Sequence, residues 1–193
     1  VRLYTRGWLE LDGETREIFN EVLAALEARG VKIASCEHDP ELATLEDELD
    51  GGVDDGVAIV AYEMKWPYGE YVARFGRQIG PRIRELVSRA CEMTPADYKR
   101  LLVNRRRIQT LVHERSSSCD GFITLAASGP AKLGLSHTGS RTFPAYSSWL
   151  GFPAFTLPLM QVNGLPVGIQ LLGTSGADAE LCAIANWVMR ELV

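Results

Sequence analysis

An α/β fold, with a mixed β-sheet covered by α-helices, is what this sequence predicts, and three observations predict it. Three strand-sized apolar runs, 121–127, 154–160 and 167–172, are each bounded by Gly, Pro or Asn. Several longer segments repeat apolar residues at helical spacing before and after those runs. The two kinds of element alternate along the chain, as they do where helices cover a sheet. The length, 193 residues, suits one domain spanning 1–193.

Taken in order, 13–29 reads as a helix: Ile18, Val22, Ala25 and Leu26 form a stripe that Phe19 and Leu23 widen. Gly30 suits the position after it, where a left-handed residue needs no Cβ. A short strand is expected at 31–36. An acidic helix is expected at 40–49, ending at Gly51-Gly52, and a further helix at 57–66, interrupted by Pro67-Tyr68-Gly69. The stretch 82–91 carries Ile83, Leu86, Val87 and Ala90 on one side of a helix. Thr94-Pro95 starts another: Thr94 offers an oxygen to an orphan N–H, Pro95 loses nothing at the first helical position, and Asp97 suits the dipole. That helix runs to about Arg115. Between the strands at 154–160 and 167–172, Asn163-Gly164 tolerates positive φ and predicts an antiparallel hairpin. A helix at 178–192 closes the chain, with Leu181, Ile184, Ala185, Val188 and Leu192 facing inward.

Composition narrows the function. Hydrophobic residues make up 46% and charged residues 23%, an ordinary soluble balance, and the formal net charge of −5 argues against a nucleic-acid scaffold. No apolar run approaches the ~20 residues that span a bilayer, and no signal peptide is visible, so a cytoplasmic chain without membrane or nucleic-acid partners is expected. The absence of an initiator Met is expected of a fragment or a processed chain. Cys36, Cys91, Cys119 and Cys182 show no C-x-x-C spacing, so no metal is expected and the thiols read as reduced. His38, His113 and His137 sit in no motif, and no G-x-S-x-G elbow is present. Cys119 would be a nucleophile only beside a base.

The segment 128–153 is a long Gly/Ser/Pro-rich crossing. Its Phe143, Tyr146, Trp149 and Phe152 argue for order, and a crossing of this length is expected to shape a pocket. GFPAFTLP at 151–158, followed by GLPVGIQLLG at 164–173, closely resembles the C-terminal signature of the amidase signature family. Thr138-Gly139, with Phe143 four residues after the glycine, also fits, and weaker similarity reaches back through Asp97-Tyr98 to about Leu23.

The resemblance implies hydrolysis of a linear carboxamide C–N bond by a Ser nucleophile, a second Ser in a cis peptide and a Lys base, without a cofactor. All three belong to the N-terminal half of the family pattern. No G-G-S-S-G-type segment exists here, and none of Lys32, Lys65, Lys99 or Lys132 precedes one. The chain therefore resembles a C-terminal portion, expected to be inactive alone, with no catalytic residue of its own. Its expected partners are the N-terminal half of the same enzyme, a small-molecule amide and, through an exposed half-sheet, a further copy of itself. By position the resemblance assigns substrate contact to Thr138, as a polar wall, and to Arg141, which would favour a carboxylate or carbonyl through a bidentate contact. Gly139, Gly151 and Pro153 are explained by backbone geometry, and core packing is the first expectation for Phe143 and Trp149. Ser140 stands where many relatives carry an acidic residue. Arg82 and Arg84 lie near a position where glutamine-handling relatives use an Arg, but its tyrosine and acidic partners are missing. The rival reading is a non-catalytic ligand- or partner-binding domain derived from the same fold.

Overall fold

The computed structural model describes residues 1–134 and 139–193. Among these residues six α-helices and three strands follow one another: α1 (Gly13–Glu27), α2 (Pro40–Phe75), α3 (Pro81–Glu92), α4 (Pro95–Ser116), β1 (Phe122–Leu125), α5 (Ala145–Leu150), β2 (Ala154–Val162), β3 (Leu165–Leu172) and α6 (Asp178–Leu192). Among the described residues, no helix is long and apolar enough to cross a membrane.

The expected hairpin is present. β2 pairs antiparallel with β3, and Asn163 and Gly164 both take positive φ at the turn, 51° and 76°. β1 pairs antiparallel with the other edge of β3, giving the order β1-β3-β2. The three strands are thus wholly antiparallel, not mixed as expected. A parallel element enters only where the N-terminal residues meet β1: Ile123 N–H donates to Val1 O (2.8 Å) and Leu3 N–H donates to Ile123 O (2.9 Å). The expected strand at 31–36 forms no ladder. Its Ala34 carbonyl accepts Arg2 N–H at 2.9 Å, which leaves the sheet to fade out on that side.

Side-chain alternation divides the core in two. Ile123, Leu125, Ile169 and Leu171 face α1 and α6, against Phe19, Leu23, Leu181 and Val188. Phe122 and Leu172 point the other way, into a second core with Leu42, Leu49, Ile108, Val112 and Leu150 from α2, α4 and α5. The amphipathic stripes expected for α1, α4 and α6 lie on those buried sides. Thr94 caps α4 through a reciprocal box with Asp97, as its sequence predicts.

The chief departure is α2. The sequence predicts a helix ending at Gly51-Gly52 and a second one after it. The observed helix runs on through both glycines; the interruption expected at Pro67 is present, as a kink at Trp66 (φ −118°, ψ 117°) where two helical stretches meet. Its glycines are explained by Trp149 of α5. A Cβ on Gly52 would interpenetrate the Trp149 ring, and one on Gly56 would sit 2.8 Å from its Cγ. The two positions, four apart, share one face and give the indole a Cβ-free track.

This packing predicts a coupled pair. Gly52→Ala should cost about 2 kcal/mol by overpacking, and Trp149→Ala about 3–5 kcal/mol by leaving a void. In urea denaturation of the double variant, most of the glycine cost should vanish; fully additive losses would contradict the contact.

Candidate functional site

A cavity of ≈390 Å³ lies between α2 and the crossing that carries Arg141. Arg6, Asp54, Val57, Leu86, Arg141 and Trp149 contribute to its walls. A larger cavity of ≈750 Å³ lies elsewhere, between the 31–34 segment, β1 and α6, with Lys32, Arg115 and Asp120 among its walls. Volume does not choose between them. The smaller one is bordered by the crossing, and it brings Arg6, Asp54 and Arg141 together from three separate elements.

The first of those elements is the N-terminal turn. Glu46, Asp50 and Asp54 recur every four residues, so they share one face of α2. Glu46, only 7% exposed, accepts the backbone N–H of Tyr4 (3.0 Å) and Thr5 (2.8 Å). Asp50 accepts Arg6 N–H at 3.0 Å and the Tyr146 hydroxyl at 2.5 Å, joining the turn to α5. Asp54 meets the Arg6 guanidinium at 3.5 Å. Thr5 is held at φ 54°, a left-handed conformation that costs a non-glycine residue about 1–3 kcal/mol. The Tyr4 and Thr5 N–H bonds to the Glu46 carboxylate, with the Arg6 N–H bond to Asp50 beyond them, hold that residue in place and offset the strain. The series places the Arg6 side chain at the cavity.

The second element is the crossing itself. Ser140 and Thr142 flank Arg141, with their hydroxyls 2.6 Å apart, and Thr142 Oγ1 donates to Glu10 at 2.8 Å. The Ser140 and Thr142 hydroxyls hold the Glu10 carboxyl below the usual carboxylate range. The Arg141 carbonyl accepts Ala145 N–H at 3.0 Å as α5 begins. Phe143 is wholly buried, against Gly7, where a Cβ would come within 3.0 Å of the ring. Arg141 therefore projects from a backbone tied down on both sides.

Trp149 is 6% exposed and walls the cavity, so it serves packing and site together. Its Nε1 has no hydrogen-bond partner among the described residues. Gly139 and Gly151 have φ of 88° and 67°, in keeping with their backbone explanation. Thr138 and His137 lie outside the described residues. Arg82 is exposed, and Arg84 donates to the Ile79 carbonyl at 3.0 Å; neither borders the cavity. Cys119 is half-buried, with Sγ 3.8 Å from the Arg115 carbonyl, and also lies away from it. Sequence reasoning missed Arg6. The signal was present as the four-residue carboxylate spacing in α2, but nothing local links that spacing to residues 4–6.

Burial raises the Glu46 carboxyl above its ordinary value of 4.5, against the pull of the Tyr4 and Thr5 N–H groups. A carboxyl raised on folding lends stability that is complete below the unfolded pKa and is lost as pH rises through the folded one. The stability difference between wild type and Glu46→Gln, from urea midpoints, should therefore shrink as pH rises above 4.5. A difference that stays flat with pH would contradict this.

No family model matches the sequence, and no curated protein matches it. Solved structures do match. An amidase crystal structure aligns with TM-score 0.76 and 22% identity over 95% of this chain and 43% of its own. Kluyveromyces lactis allophanate hydrolase aligns with TM-score 0.72 and 18% identity, over 94% of this chain and 30% of its own. A bacterial aryl acylamidase of the amidase signature family aligns with TM-score 0.59 and 11% identity, over 74% of this chain and 34% of its own. This chain thus spans less than half the length of each. Across most of its length, the chain has the fold of a portion of the amidase signature enzymes.

Proposed function

We propose that this chain is the C-terminal portion of an amidase signature hydrolase that cleaves a linear carboxamide C–N bond. Its part is to supply scaffold and pocket walls, with Arg141 and Thr138 facing substrate. The observation that carries this reading is the cavity between α2 and the crossing. There a residue singled out by the family motif borders a ligand-sized space in an amidase fold.

The chemistry follows from what an amide requires. Its carbonyl is a poor electrophile, so a Ser hydroxyl needs a base to attack it. A neutral Lys can take that proton through an intervening Ser, and backbone N–H groups can stabilise the tetrahedral oxyanion. In this reading those groups belong to an N-terminal half that packs against this one. The exposed Ala154, Thr156 and Pro158 on one face of β2 offer an uncovered sheet surface for it.

Two measurements test the proposal. The isolated chain should show no amide hydrolysis above background, and turnover sensitive to a serine-directed reagent would overturn the assignment. The coding sequence upstream of Val1 should encode a Lys followed by a Gly/Ser-rich segment with two Ser residues. The protein made with that segment should hydrolyse amides and lose activity when the nucleophilic Ser becomes Ala. If the upstream sequence has no such segment, the rival binding-domain reading takes its place.

A further inference from the structure

We infer that Arg6 and Arg141 together make the ≈390 Å³ cavity a carboxylate-binding subsite. The substrate class that follows is an amide bearing a negatively charged group at one end and an apolar body at the other. The substrate assignment rests on the amidase reading; the anion preference of the cavity does not.

Among the described residues, two cations, Arg6 and Arg141, and one anion, Asp54, border this space. The two arginines lie 135 positions apart in the chain (141 − 6), so the juxtaposition is made only by folding. Asp54 is committed to Arg6, but weakly. Their separation is 3.5 Å and their side chains are 39% and 83% exposed, a geometry in which ion pairs contribute little. An incoming carboxylate can displace Asp54 and gain a planar, two-donor contact. Arg141 has no ion-pair partner among the described residues, and its backbone is anchored through Ser140 and Thr142. Beside the two guanidinium groups stand Val57, Val60, Leu86 and the Trp149 ring, an apolar wall for the body of the ligand. Cation at one end and hydrocarbon at the other is the pattern of a pocket that orients an amphiphilic anion.

The test uses this chain with two matched probes, 4-phenylbutyrate and 4-phenylbutyramide, which differ only in charge and one donor group. Binding is followed by NMR, on the Trp149 indole N–H resonance identified with Trp149→Phe. At low salt the carboxylate should bind about tenfold more tightly than the amide, the scale of one charge-assisted hydrogen bond. Arg6→Ala and Arg141→Ala should each lower carboxylate affinity about tenfold and leave the amide nearly unchanged. Asp54→Asn, which releases Arg6, should tighten the carboxylate about threefold; a merely structural Arg6 would give no gain. Far-UV circular dichroism checks that each variant folds. Equal affinity for the two probes, or carboxylate binding indifferent to both arginines, overturns the anion subsite and leaves the amidase reading standing. No binding of either probe also overturns it. The amidase reading itself fails only on the upstream sequence and turnover measurements.

Discussion

The seating of Trp149 on α2 is the contact on which the site depends. α5 has only six residues, too few to hold a helix by backbone hydrogen bonds alone. It is held by side chains: Trp149 and Leu150 are buried in the α2–α4 core, and Tyr146 bonds Asp50. The indole can approach so closely only because Gly52 and Gly56 present bare backbone. Each glycine costs a helix interior about 1 kcal/mol relative to Ala. Burying an aromatic ring of this size outweighs that. Once α5 is fixed, Arg141, whose carbonyl accepts the first N–H of that helix, is carried to the cavity edge.

The same helix organises the opposite wall. Its carboxylates at positions 46, 50 and 54 take successive groups of the N-terminal turn: two backbone N–H groups, a third N–H, then a guanidinium. The buried member does the structural holding and the exposed one leaves its arginine available. One helix thus builds a rigid seat at Glu46 and a weak, displaceable pair at Asp54. This gradient of burial along one face separates scaffold from site.

The sheet shows a different asymmetry. α1 and α6 cover one face, whereas α2, α4 and α5 cover the other at β1 and leave Ala154, Thr156 and Pro158 of β2 exposed. Pro158 and a shift of register between Leu157 and Met160 interrupt the free edge of β2, features that discourage indiscriminate strand pairing.

Much of the secondary structure was legible residue by residue, because short-range rules act there. Asn163-Gly164 supplies the φ angles a tight hairpin needs, Thr94 and Asp97 complete a cap within one turn, and the stripe from Leu181 to Leu192 has a single period. The amidase likeness was legible in the two motifs around that hairpin. Three things were not. Gly51-Gly52 carries a stop signal that a distant indole overrules, the 31–36 stretch is strand-like but lacks a full ladder partner, and Arg6 looks like any surface arginine until α2 lies against it. Propensity and capping are properties of neighbours along the chain, so reading the chain recovers them. A cavity wall is a property of neighbours in space, and which residues share one is settled only when the helices pack.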